Sequence, residues 1–221
     1  MDVLGLGIPT VVLAIIIANV IFSNKGFKDI SFFNKYKFNV PAVRNGENIR
    51  FLSSGFLHVD MSHLIFNMLT LYFFAPVVTK MLGDIKFLVI YFAGLVIGNL
   101  MAFQFNRNIP HYNAVGASGA VMSVLYASIM IFPNMSLYMF FIPIPIPAWL
   151  FGIMYMLYTI YGMGTRNDRI GHDAHMGGAI TGYVLALIFV PSILTHNLKM
   201  VVLLAIPIVL LNVLVKTGKI K

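Results

Sequence analysis

Three short stretches carry residue types that could do chemistry. At 115–120 the chain reads Val-Gly-Ala-Ser-Gly-Ala, which sets Ser118 among small residues where an apolar run begins. A serine becomes a nucleophile when its oxygen is open to substrate, a base lies within reach and N–H groups face the oxyanion that forms. Gly116 and Gly119 allow a substrate backbone to approach, and a helix start supplies N–H groups with no intrahelical acceptor. His63 and Asn67 are four apart, so a helix presents both on one face, and both can donate hydrogen bonds to an oxyanion. At 174–182, Ala-His-Met-Gly-Gly-Ala-Ile-Thr-Gly places His175, Gly178 and Gly182 on one helical stripe. Such a stripe lets another helix come close enough for His175 to act as a base towards Ser118.

Each stretch alone also has a packing explanation. Ser118 could be a helix cap, His63 and Asn67 a polar tie between helices, and the glycines a close-contact face. Together they supply a nucleophile, a base and oxyanion donors on three different helices, which packing alone does not require. No carboxylate completes a triad: Asp173 is two residues before His175 and points elsewhere on a helix. The expected arrangement is a Ser–His dyad. The nucleophile elbow of soluble hydrolases needs a strand before the serine, and none is expected here.

These elements must be positioned in a membrane. Of 221 residues 59% are hydrophobic and 10% charged, against about 25% charged in soluble domains, and the mean hydropathy is +0.88. The apolar runs are continuous rather than alternating, which predicts an all-α membrane protein, a polytopic helical bundle. The absence of Cys excludes disulfides, thiolate metal sites and cysteine proteolysis. The net charge of +8 points to topology and contact with anionic membrane lipids rather than to nucleic acid. No cleavable signal peptide is expected.

The chain reads as a single transmembrane domain over 1–221, with a core at about 3–190 and an extra C-terminal span at about 198–215. Spans are expected at 3–22, 63–81, 86–105, 116–132, 148–162, 173–190 and 198–215. Gly83-Asp84 joins the second and third as a tight turn, and Gly94 and Gly98 give the third a small-residue face. Residues 23–62 form a long loop rich in Lys and aromatic residues, suited to the membrane interface. Pro143, Pro145 and Pro147 break helix and favour an extended segment.

At these residues the sequence resembles the rhomboid intramembrane serine proteases. The likeness covers about 3–190 and rests on His58, the His63–Asn67 pair, Gly-Ala-Ser-Gly opening the fourth span, and Ala-His-Met-Gly-Gly-Ala-Ile-Thr-Gly in the sixth. Arg50 falls where the family's Trp-Arg loop motif has its arginine, with Ile49 in place of the Trp. The resemblance implies a six-helix core plus a seventh span. It implies Ser118 as nucleophile, His175 as general base, and His63, Asn67 and the Ser118 N–H as the oxyanion site. His58 and Met122 would line the cavity; well-known bacterial members have an aromatic at the Met122 position, stacked on the histidine. Phe-Ile-Pro-Ile-Pro (141–145) and the fifth span would form a cap and gate.

The implied partners are single-pass or polytopic transmembrane protein substrates and membrane lipids, with no cofactor and no metal, in a prokaryotic cytoplasmic membrane. Family precedent places Ser118 towards the outside, whereas the basic residues, the 216–221 tail included, count towards the opposite orientation. Two other functions stay open: a non-proteolytic rhomboid-like factor that binds membrane proteins for quality control, and a transporter using His58, His63, His172 and His175.

Overall fold

The computed structural model describes residues 7–139, 142–165, 168 and 170–220. Helix α1 spans Thr10–Lys28, after Pro9. The first span therefore starts later than expected and runs on past Phe22; residues 3–6 of the expected span lie outside the described residues. Pro9 explains the start, because the residue before a proline is pushed out of helical geometry. The extension has a polar cause: Ser23 is buried, its Oγ donating to the Phe56 carbonyl at 3.0 Å and lying 2.8 Å from His58 Nδ1.

The long loop is built from short elements. These are α2 (Ile30–Tyr36), the strand β1 (Phe38–Asn39), α3 (Val40–Arg44), α4 (Arg50–Ser53) and a 3₁₀ turn at Ser54–Phe56. Asp29 and Asn39 cap α2 and α3 through their side chains, as such residues do for orphan N–H groups. Arg50, only 7% exposed, ties the loop together. Its Nη1 donates to the carbonyls of Asn34 (2.9 Å) and Lys37 (2.7 Å), and its Nε donates to Glu47 Oε2 at 2.9 Å. Phe38, Phe51, Phe103 and Tyr112 pack against one another in tilted and T-shaped pairs.

Helix α5, Met61–Asn106, contains the second and third spans. Gly83 interrupts it with φ 81° and ψ 168°, a conformation that glycine adopts without a Cβ penalty. Contrary to the expectation of no strand before the serine, a two-residue strand β2 (Asn113–Ala114) pairs antiparallel with β1, so the segment before Ser118 is tied to the first loop. Helix α6 covers Ser118–Ile131, starting at the serine itself. A hairpin of β3 (Ser136–Met139) and β4 (Ile142–Pro147) follows. Prolines at every second position leave their missing N–H groups on one edge, where a strand tolerates them. Phe141 of the expected cap lies outside the described residues. The chain ends in α7 (Ala148–Thr165), α8 (His172–Phe189), α9 (Ile193–His196) and α10 (Leu198–Lys216).

The result is a helical membrane bundle with α6 at its centre. Its 14 residues span about 21 Å, well short of a hydrocarbon core of about 30 Å, and Gly119 to Met130 are all buried. Around it, α1, α5 and α10 are long and apolar enough to cross a membrane. Their outward faces carry exposed apolar side chains such as Ile17, Phe66, Val89 and Val209, the expected face towards lipid. Helix α10 docks on α7 and α8, with Leu204 against Gly152 and the Tyr183 hydroxyl donating to the Val201 carbonyl at 3.0 Å.

Candidate active site

The small residues set the distances between helices. A Cβ placed on Gly178 would overlap the carbonyl of Gly119, and one on Gly182 would overlap the carbonyl of Ser123. Helices α6 and α8 therefore touch backbone to backbone. On the other side of α6, a Cβ on Gly94 would collide with the Ser123 side chain. A Cβ on Gly98 would meet the Ala174 carbonyl at 2.7 Å, and one on Gly177 would meet Gly98 Cα at 2.8 Å. Three helices interlock here, and the interlock begins beside Ser118 at the head of α6 and beside His175 near the start of α8.

The segment leading into Ser118 is held by successive contacts. Gly116 has φ 127° and packs against the His63 imidazole; a Cβ there would sit 2.6 Å from His63 Cε1 and 2.8 Å from Nε2. The Gly116 N–H donates to the Ser54 carbonyl at 3.0 Å. The Ala117 N–H approaches His58 Nε2 at 3.4 Å. Next in line is the N–H of Ser118, in the helix's first turn, where no intrahelical acceptor exists. It is the group an oxyanion could use.

His63 and Asn67 lie one turn apart on α5. Asp60 caps this helix by accepting from the His63 N–H at 2.7 Å. Hydrogen bonds from the Ser62 hydroxyl and that N–H hold the Asp60 carboxyl below its ordinary pKa. Asn67 is buried, and its Nδ2 donates to the His63 carbonyl at 3.0 Å; an amide nitrogen carries a second hydrogen to offer.

His58, expected to line a cavity, has no exposed surface. One ring nitrogen faces Ser23 on α1 and the other faces Ala117, so it ties the first helix to the segment before the serine. Its ring meets that of His63 edge-on at 4.9 Å. Burial pushes its pKa down to about 3, and the neighbouring His63 adds to the shift. Met122 is likewise packed in the core, 8% exposed.

His175 is fixed from a direction the sequence did not suggest. Its Nδ1 lies 2.9 Å from the hydroxyl of Tyr155 on α7, with the two rings tilted by 30° and 6.2 Å apart. No hydrogen bond joins His175 to Ser118 among the described residues; catalytic hydrogen bonds commonly tighten only when substrate is bound. Next to His175, the His172 ring lies 6.3 Å away, and His172 Nε2 sits 3.1 Å from each Asp168 carboxylate oxygen. Among the described residues, no three His, Cys, Asp or Glu side chains converge on a site for a metal ion.

Ser23, Ser54 and Tyr155 were missed by the sequence reading. Tyr155 is a polar residue in an apolar span, which is a signal for function or helix pairing; Ser23 and Ser54 read as ordinary loop residues.

The family model described as "Rhomboid domain" matches residues 45–192. The chain is 30% identical over 192 residues to "RHOMBOID-like protein 12, mitochondrial" of Arabidopsis thaliana, covering 79% of this chain and 57% of that one. It is 29% identical over 150 residues to "Putative rhomboid protease YdcA" of Bacillus subtilis, covering 67% and 70%. It is 30% identical over 145 residues to "Rhomboid protease GluP" of the same organism, covering 65% of this chain and 26% of that one. The chain thus spans little more than half the length of the Arabidopsis protein and about a quarter of the last.

Proposed function

The chain belongs to the rhomboid family, and on that premise we propose that it is an intramembrane serine endopeptidase acting through Ser118 and His175. The supporting observation is the Gly178–Gly119 backbone contact. It sets the head of α6 against the first turns of α8, with the His63 ring lying on Gly116 from a third side.

In this reading the Ser118 hydroxyl oxygen attacks a backbone carbonyl of a transmembrane substrate while its proton moves to His175 Nε2. The oxyanion is met by the Ser118 N–H, His63 and Asn67. The tetrahedral intermediate collapses, His175 gives its proton to the leaving amine, and an acyl-enzyme stays on Ser118. Water, deprotonated by the same imidazole, releases the second product. The substrate helix must unwind locally, because its carbonyls are otherwise held by its own hydrogen bonds.

An apolar core cluster that runs from α1 through α10 and joins the segments on either side of the matched residues 45–192 supports the reading of residues 1–221 as a single domain. The prokaryotic cytoplasmic membrane is the proposed location, and transmembrane proteins are the proposed substrates.

A fluorophosphonate probe tests the reading directly. It should label the wild-type protein and leave Ser118→Ala unlabelled, and cleavage of a single-pass substrate in liposomes should vanish in the same variant. Equal labelling of both proteins would sink the Ser118 assignment, and labelling of neither would favour a binding or quality-control role.

A further inference from the structure

We propose that Tyr155 is the positioning residue for the His175 base: its hydroxyl oxygen accepts the Nδ1–H and so leaves the Nε2 lone pair free for the Ser118 proton. This rests on the Ser118–His175 reading above.

A neutral imidazole carries one proton on either nitrogen, and only the form with Nε2 bare can take a proton there. The partner at Nδ1 decides which form prevails, and in soluble triads a carboxylate does so. Among the described residues no carboxylate occupies that position. Asp168 lies against His172 at 3.1 Å and Tyr158 at 3.3 Å, and Asp173 accepts from Asn106 Nδ2. Among the described residues, the side-chain group at His175 Nδ1 is the Tyr155 hydroxyl, at 2.9 Å.

The phenol is held for the task. Its ring stacks on Phe151, one turn back on α7, at 5.9 Å and 26°, and meets Tyr158 at 6.1 Å on the other side. The close contact between α8 and α6 fixes the other partner. A phenol can both donate and accept. In the accepting direction, proton transfer from Ser118 yields an imidazolium whose Nδ1–H already has its acceptor. The proton returned to the leaving amine comes from Nε2, so Tyr155 stays neutral throughout. A neutral phenol does this without a buried charge, which suits a site walled by apolar helices. It also restrains the imidazole in a chain whose residue 122 is a methionine rather than a ring.

The test uses Tyr155→Phe, which removes the hydroxyl and keeps the ring. In liposomes with a single-pass substrate, kcat should fall about tenfold, the upper range for one neutral hydrogen bond, with KM within about twofold and the melting temperature unchanged. Imidazole ¹⁵N NMR, with the His175 signal identified by its loss in His175→Ala, should show Nδ1 protonated in the wild type and the proton moved towards Nε2 in Tyr155→Phe. Tyr158→Phe, on the same helix, should leave the His175 tautomer as in the wild type. A wild-type His175 protonated on Nε2, an unchanged kcat in Tyr155→Phe, or an equal loss in Tyr158→Phe would overturn the assignment. The NMR measurement needs no turnover, so it separates failure of this inference from failure of the peptidase reading, which the Ser118→Ala control reports.

Discussion

Gly178 on α8 leaves no room for a methyl group above the carbonyl of Gly119, the residue that follows Ser118. The obstructing atom is backbone, so no side chain can swing aside. Gly178→Ala should therefore force α6 and α8 apart, moving Ser118 and His175 together with them. Overpacking of this kind costs about 1–3 kcal/mol. Both the melting temperature and fluorophosphonate labelling should drop. Gly164→Ala, where the nearest atom to an added Cβ is a flexible Ile220 side-chain carbon at 4.0 Å, should change neither. A Gly178→Ala protein with wild-type labelling would show that the contact does not set the proposed dyad.

Asn67 and His63 separate by what each also holds. Among the described residues Asn67 makes one hydrogen bond, to its own helix at the His63 carbonyl, so Asn67→Ala removes little architecture. If it is an oxyanion donor, kcat should fall about 10²–10³-fold with a nearly unchanged melting curve. His63 also packs on Gly116, so His63→Ala should lower activity and stability together. Kinetics paired with thermal melting distinguishes the two, and full activity in Asn67→Ala removes it from the proposed site.

His58 gives the fold a pH dependence with a definite sign. Burial lowers its pKa from 6.5 in the reference state to about 3. Between those values the unfolded chain binds a proton that the folded one does not, so stability rises with pH. The contribution is complete above 6.5 and is lost progressively as pH falls towards about 3, by up to about 1.4 kcal/mol per pH unit. The Asp60 contribution, from a lowered carboxyl, is lost in a more acidic range. The melting temperature should decline below pH 6.5, and His58→Asn should decline less steeply from a lower starting value. Parallel curves for the two proteins would refute the role assigned to this histidine.

What the sequence conveyed and what it hid follow from range. Helices and their small-residue faces repeat with a local period, so α6, α8 and the Gly83 break could be read directly. The serine opening α6 and the His63–Asn67 pair are likewise spacing within one helix. The first loop was legible only as polar and aromatic, because its order depends on Arg50 reaching carbonyls at Asn34 and Lys37, contacts no periodicity encodes. The extension of α1 depends on Ser23 meeting His58, far along the chain. Tyr155 was hidden for the same reason: its partner is on another helix, and Met122 drew attention instead because it sits where a local motif expects a ring.

Arg50 allows that long-range order to be weighed. Its guanidinium is buried, and its Nη1 hydrogen bonds are to two backbone carbonyls, whereas its ion-pair partner Glu47 is half exposed at 51%. An exposed carboxylate contributes about 0–1 kcal/mol, while a hydrogen bond from a charged donor contributes about 1.5–3 kcal/mol. Glu47→Gln should therefore be nearly silent. Arg50→Met should destabilise by at least one such hydrogen bond, because the Asn34 and Lys37 carbonyls lose their donor together. Arg50→Lys should fall between them, since an ammonium lacks the planar fork that reaches several acceptors at once. The loop is joined to the segment before Ser118 through β1, β2 and the Ser54 carbonyl. Loss of Arg50 should therefore appear in thermal melting first and in fluorophosphonate labelling at temperatures just below the melt. The order Glu47→Gln, Arg50→Lys, Arg50→Met in falling stability is the expected result, and a Glu47→Gln protein as unstable as Arg50→Met would place the stabilisation in the ion pair instead.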